Sequence, residues 1–402
     1  MAECLVIADD FTGALDCGVL FAEKGYMTKV VREYPVSIET MKEDTQVLVV
    51  TTESRHLKKE EAYERVYRTA ADGKKAGIRY FYKKTDSALR GNIGSELTAF
   101  AKALNIRELL FQPAYLDLGR TTKEGIQYIQ EIPVAQSTFG KDPFEPVLSS
   151  EIAEIIAEQS DSFCMSYKVW RENPERVTTH PCIVLPDTII EADYINPVRE
   201  LNEQKEIKVA AGSGGLVPAF SELFGCVGGM KGKEISDGRM LIVSGSLHPI
   251  AVEQSKSLKT EGVPVCYMTN TSDRYIVKEI RGFWEKNRAA VLAADPQVSV
   301  PDFECGIELE DRRKKTAKRF GKLTADILEG METYILLVVG GDTLYEVLKH
   351  LAIHILQPLY QIEPGIVVSV AKDSKGKTIS VISKAGGFGD PETLTRVYKK
   401  FI

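Results

Sequence analysis

Long apolar runs are missing from this chain of 402 residues, and none approaches the roughly 20 residues that a membrane-spanning helix needs. Cysteine is sparse. The seven (Cys4, Cys17, Cys164, Cys182, Cys226, Cys266 and Cys305) are odd in number and widely spaced, with no C-x-x-C. That argues against a disulfide framework and a thiolate zinc site, and it fits a reducing compartment. Five scattered histidines give no convincing Ser/His/Asp or Cys/His set. Positive charge is not in excess: 51 Lys and Arg against 57 Asp and Glu give a net charge of −6. Nothing in that balance attracts nucleic acid or an anionic membrane, and no basic face or helix-turn-helix pattern is present. Met-Ala-Glu runs straight into an apolar strand pattern with no basic leader, so the protein is expected in the cytoplasm. Both standard nucleotide fingerprints are absent too. Gly212-Ser213-Gly214-Gly215 opens like G-x-G-x-x-G but carries Val217 at the sixth position, and Gly232-Lys233 runs into Glu234 without the upstream glycine of a P-loop.

What is present is an alternation of strand and helix patterns. The composition, 44% hydrophobic and 27% charged, is that of a globular protein, and the length suggests two domains. Cys4–Ala8, Gln46–Thr51, Arg79–Lys83 and Glu108–Phe111 read as buried strands, with helices expected over Ala14–Lys24, Lys58–Lys75 and Ser95–Leu104. Such alternation predicts right-handed βαβ units and a mostly parallel sheet covered on both faces. From 121 to 235 the pattern is less regular, with a helix near Ser150–Gln159 and a strand–turn–helix over Ile207–Leu223. The glycine- and charge-rich stretch 225–239 is the best linker, which divides the chain into 1–235 and 236–402. The second half repeats the grammar. Strands are expected at Met240–Val243 and Tyr334–Val339 and helices at Ile250–Lys259 and Leu344–His350, with two further β patterns, Ile366–Ala371 and Thr378–Ser383, around a turn. The expected fold is α/β, in two domains, each a mostly parallel sheet flanked by helices, with a ligand cleft between them.

In open α/β sheets, ligands bind beyond the carboxyl ends of the strands. Polar clusters fall at such ends: Asp9-Asp10, then Ser54-Arg55, then Lys83 to Arg90, then Gly119-Arg120. One aspartate of the first pair would suffice to cap the helix that follows, and adjacent like charges repel. A second role for at least one is expected, namely orienting or deprotonating a hydroxyl. The run Lys84-Thr85-Asp86-Ser87 and Arg90 lead into a glycine-containing helix start, where an anion is favoured. Arg90 suits a carboxylate bidentately, and Lys84 a carboxylate or phosphate as a point charge.

The second half carries three Gly/Ser turns after β patterns: Ser244-Gly245-Ser246, Gly340-Gly341-Asp342-Thr343, and Ala385 to Gly389. Glycines let backbone N–H groups approach an anion closely, and three such turns in one domain suggest a phosphate cradle. His350 and His354 stand four apart but lack a third ligand, so a structural pair is expected, and no metal ligands are assigned.

The clusters, taken in order, resemble the four-carbon acid sugar kinase family. The resemblance rests on ADDFTGALDCG, TESR, KKTDSALRGNIGSEL, PAYLDLGRTTKEGIQYI, STFGKDPFEPV, AGSGGL, VSGS, VVGGDT and KAGGFGD, and it spans nearly the whole chain. It implies an N-terminal sugar-acid-binding domain, a C-terminal nucleotide-binding domain, and transfer of the ATP γ-phosphate to the terminal hydroxyl of a threonate-, erythronate- or 3-oxo-tetronate-type acid with Mg²⁺. It implies Asp9, Asp10, Arg55, Lys84, Thr85, Asp86, Ser87, Arg90 and Arg120 at the acid, with Asp10 or Asp86 orienting the attacking hydroxyl. Ser246, Gly340, Gly341, Asp342, Thr343, Gly386 and Gly387 would meet ATP. Two positions depart from the family pattern: Ala88 replaces the usual Thr, and Asp342 the usual Glu. An NAD-dependent sugar-acid oxidoreductase and a non-catalytic sugar-acid-binding protein are the alternative readings, and self-association is left open.

Overall fold

In the computed structural model, the described residues are 2–142, 145–172, 180–225, 238–269, 271–296, 307–331 and 334–402, with no side-chain detail at 307–311. The chain divides into two compact units, 1–230 and 231–402. Most of the expected linker lies outside the described residues. Among the described residues, no helix is long and apolar enough to cross a membrane.

The first unit is built on eight parallel strands: β1 (Cys4–Ala8), β2 (Thr28–Val31), β3 (Val47–Thr51), β4 (Tyr80–Lys84), β5 (Glu108–Gln112), β9 (Phe163–Ser166), β10 (Cys182–Leu185) and β11 (Lys208–Gly212). Their order in the sheet is β2-β3-β1-β4-β11-β5-β10-β9. Helices Phe11–Glu23, Lys59–Lys75 and Ile93–Leu104 pack on this sheet through their apolar faces. The fit is close at Gly73, where a β-carbon would stand 2.5 Å from Leu5 Cδ2. The irregular region after β5 forms a small antiparallel sheet of β6 (Arg120–Lys123), β7 (Ile126–Ile129) and β8 (Ile132–Pro133), which the sequence pattern did not announce.

From β1 the chain fills the sheet to one side with β2 and β3, then crosses to the other with β4, so the topological switch lies at β1 and β4. Register makes their ends flush. Ala8 pairs with Thr51 and with Lys84, and Lys84 pairs with Gly212. The polar residues after four strands thus emerge on one line, at the place where parallel sheets take ligands.

The second unit repeats the logic. Strands β12 (Arg239–Ser244), β13 (Val265–Met268), β14 (Ala289–Ala294), β15 (Tyr334–Val339) and β18 (Thr378–Lys384) are parallel in the order β13-β14-β12-β15-β18. β17 (Ile366–Lys372) and β16 (Ile355–Glu363) extend the sheet antiparallel, which is why two β patterns flank the expected turn. Met240, Ile242, Val291, Leu337 and Val339 form part of its core. Ser244 pairs with Val339, and Val339 with Lys384, so three strand ends are again level.

Candidate active site

In the first unit, Arg55 answers the question of two adjacent aspartates. Its Nε donates to Asp9 Oδ2 and its Nη1 to Asp10 Oδ2, each at 2.7 Å. Asp10 is also the N-cap of helix Phe11–Glu23, accepting from the Gly13 N–H at 2.9 Å, so capping and ion pairing share one side chain. Asp9 is 3% exposed. Burial pushes its carboxyl up, and the Arg55, Lys83 and Lys84 cations more than offset this, leaving it below its ordinary value.

The neighbouring lysines part company. Lys83, fully buried, pairs with Glu96 at 2.7 Å beneath the strand ends. The Lys84 ammonium faces the other way, towards the start of helix Phe11–Glu23. A β-carbon on Gly13 would stand 2.9 Å from Lys84 Nζ and 2.5 Å from Asp10 Oδ1, so only glycine lets the lysine in. Lys84 Nζ donates to the Thr85 carbonyl at 2.9 Å and has no carboxylate partner among the described residues.

Asp86 holds Arg90 through both oxygens, at 2.8 and 3.2 Å, and also accepts from the Arg90 backbone N–H. Burial would raise its carboxyl, but Arg90, Arg55 and Arg120 hold it well below the usual range. Arg120 donates to the Ser87 hydroxyl. Arg90 and Arg120 both lie over the Phe139 ring at 5.2 Å, a stacking that fixes two guanidinium planes beside each other. Asp9 Oδ1, Thr85 Oγ1 and Arg120 Nε are buried without a hydrogen-bond partner among the described residues.

All nine residues expected at the acid therefore lie around these flush strand ends. Four others join them that sequence reasoning missed. Asn92 Nδ2 lies within bonding distance of the Ser54, Arg55 and Leu57 carbonyls and fastens the Arg55 loop. Phe139 supplies the stacking platform. Glu53, with a left-handed backbone at φ +45°, has its carboxyl pushed up to about 7 by burial against the Thr51 hydroxyl bond. Asp16, in the first helix, is likewise pushed up to about 7 by burial.

In the second unit the three expected turns touch one another. A β-carbon on Gly245 would overlap Thr343 Oγ1. One on Gly386 would overlap Ser246 Oγ and stand 3.0 Å from Ser246 Cβ. Gly340, at φ +105°, would place a β-carbon 3.6 Å from Ser246 Cβ, and Gly387 would meet His248 Nε2 at 3.2 Å. Gly341 opens helix Gly341–His350. This is a backbone concavity that side chains would fill, the geometry a phosphate group requires. Lys384, 2% exposed, ends β18 at the start of the third turn and donates to the Ala385 carbonyl at 3.0 Å. Asp342 is exposed and pairs with Arg313 at 2.9 Å. His350 bonds the Glu346 carbonyl in its own helix, in keeping with a structural role.

A family model described as "Sugar-binding N-terminal domain" matches residues 4–220, and one described as "Nucleotide-binding C-terminal domain" matches 241–394. The chain is 29% identical to a D-threonate kinase of Salmonella typhimurium, over 98% of this chain and 96% of that protein. It is 26% identical to a D-threonate kinase of Bordetella bronchiseptica, over 97% and 95%. A D-erythronate kinase of Heliobacterium modesticaldum is 38% identical, over 40% of this chain and 37% of its own length. Among solved structures, a Haemophilus influenzae protein of the DUF1537 family shares the fold with a TM-score of 0.75 at 21% identity, covering 99% of this chain and 100% of that one. The chain belongs to the four-carbon acid sugar kinase family.

Proposed function

We propose that this kinase seats the carboxylate of its acid against Lys84 and Arg120, and the phosphates of ATP in the glycine turns of the second unit. One observation carries the reading. Two cations at the switch of a parallel sheet, Lys84 and Arg120, are largely buried and lack a carboxylate ion pair among the described residues. A buried charge without a partner is costly, and an anionic ligand removes the cost. Arg90 is already taken by Asp86 and serves, with Phe139, to hold Arg120 in place. Asp10 and Asp86 then orient the arginines around the substrate hydroxyls.

The acceptor we infer is the terminal hydroxyl of a threonate-type acid, supported by the two full-length relatives that carry the D-threonate kinase name. The relatives named here are kinases, which leaves the oxidoreductase and non-catalytic readings without support. Among the described residues, no three His, Cys, Asp or Glu side chains gather to hold a cation. Mg²⁺ would enter with the nucleotide phosphates and neutralise their charge. Transfer itself demands little covalent chemistry from the protein. Positioning and charge neutralisation supply most of the rate.

The direct test is ADP release from Mg·ATP across a panel of four-carbon sugar acids. Turnover on D-threonate above the erythronate and 3-oxo acids is the expected result. Silence across the panel with ATP still bound would refute the acid assignment. A second measurement addresses the turns. Gly245→Ala is expected to displace Thr343, with an overpacking cost of about 1–3 kcal/mol, and to weaken ATP binding by titration calorimetry. Unchanged ATP affinity would remove that turn from the nucleotide site.

A further inference from the structure

The acceptor hydroxyl must lose its proton as its oxygen bonds to phosphorus, and the two aspartates singled out by sequence are already engaged. Asp10 Oδ1 accepts from the Gly13 N–H, and its Oδ2 accepts from Arg55 Nη1. Asp86 spends both oxygens on Arg90, which with its neighbours holds it in the ionised form well below the usual range. So held, Asp86 accepts a proton poorly.

Asp16 differs on each count. It follows Gly13 by one helical turn, on the helix that meets Lys84 at that glycine. Among the described residues, no hydrogen bond or ion pair engages its carboxylate. It is partly exposed, so a ligand can reach it. The charged and titratable groups that face it come from every side of the site: Lys84 at the end of β4, Arg120 at the start of β6, Arg55 beyond β3, Tyr115 beyond β5, and Asp10 on its own helix. Burial pushes the carboxyl up to about 7, with Asp10 adding to the rise and Lys84, Arg120 and Arg55 opposing it. A general base works best when its affinity for protons lies near the operating pH.

We propose that Asp16 is the base that takes the proton of the acceptor hydroxyl. This rests on the acid-binding reading given above, in which Lys84 and Arg120 anchor the carboxylate at the other end of the acid. In the step, the hydroxyl oxygen bonds to the γ-phosphorus, and the bond from that phosphorus to the β,γ-bridging oxygen breaks. Its electron pair leaves with ADP, and the hydroxyl proton passes to an Asp16 oxygen. Asp16 returns the proton to water as the products depart.

The experiment compares Asp16→Asn and Asp10→Asn in steady-state ADP release from pH 5.5 to 9. Wild-type kcat should fall as pH drops through about 7, where Asp16 takes up its proton. Asp16→Asn should lower kcat by about a hundredfold or more, leave KM for the acid and ATP affinity nearly unchanged, and erase that limb. Asp10→Asn should keep the limb, and Asp16→Glu should keep it with a shifted midpoint. A fold control follows from the sign of the shift. The Asp16 carboxyl binds its proton more tightly folded than unfolded, where its pKa is about 4. The stability linked to that proton is full below about pH 4 and is lost as pH rises through about 7. Asp16→Asn should therefore melt above wild type at pH 8 and level with it near pH 4. A variant within a few fold of wild type, a surviving limb, or a wild-type profile flat through pH 7 would each overturn the proposal. Wild type silent on every acid would bring down the acid assignment and this proposal with it. Wild-type turnover beside an unimpaired Asp16→Asn would bring down this proposal alone.

Discussion

Arg55→Met is expected to lower stability by about 3–5 kcal/mol at pH 7, the usual cost of stripping a buried carboxylate of its partner, and to abolish turnover. Arg55 is the only described side chain that bonds both Asp9 and Asp10. Its guanidinium is largely buried and Asp9 nearly completely so, which leaves little water to replace the lost bonds. The neighbouring lysines do not stand in for it. Lys83 is committed to Glu96, and Lys84 is turned to the helix start and the Thr85 carbonyl. Methionine matches the length of the aliphatic stem, so the cavity term is small and the loss reports charge. The pH dependence separates charge from packing. Asp9 lies below its ordinary value in the folded wild type, so the stability it contributes is present above about pH 4 and fades as pH falls through its folded value. The gap between wild type and variant should hold above about pH 4 and narrow in urea melts as pH falls below it. A variant as stable as wild type at pH 7, or a gap constant with pH, would show that Arg55 does not carry the aspartate pair.

That expectation rests on a motif legible in the sequence itself. Asp9-Asp10, Ser54-Arg55 and the run 84–90 each followed an apolar strand pattern, and a parallel sheet brings strand ends together whatever the intervening helices contain. The glycine turns of the second unit were legible for the same reason. Asp16 was not, because in FTGALD it is one more polar residue at the edge of an amphipathic helix, and nothing local reports that the fold raises its carboxyl by burial among the charges of Lys84, Asp10 and Arg120. Phe139 escaped notice because cation–π stacking joins residues 49 and 19 positions apart, with no periodicity to betray it. β11 sits between β4 and β5 although almost a hundred residues separate it from β5, an insertion that hydrophobic pattern alone does not order. Lys384 hid in the strand that precedes KAGGFGD, where a lysine at a strand end looks solvated and is in fact 2% exposed.

Lys384→Met is the complementary test of the second unit, and ATP affinity is expected to fall about tenfold to a hundredfold, the worth of a charged hydrogen bond at 1.5–3 kcal/mol. The side chain ends β18 at the third glycine turn, and among the described residues its donors reach only the carbonyls of Ala385 and Gly386, at 3.0 and 3.5 Å. Burial without a counter-charge pulls its ammonium down to about 8. The stability linked to the neutral amine is therefore full above about pH 10.5 and is lost as pH falls through about 8. At pH 7 the charged lysine burdens the unliganded fold, and methionine relieves it, so the variant should melt no lower than wild type. Weakened ATP binding then cannot be charged to unfolding. A phosphate seated beside Lys384 would raise its proton affinity again, so binding near pH 8.5 should draw a fraction of a proton from the buffer. Titration calorimetry in two buffers of different ionisation enthalpy reads that uptake directly. Wild type should show it and Lys384→Met should not. Uptake that persists in the variant, or ATP affinity left intact, would mean that the lysine faces the turns without facing the nucleotide.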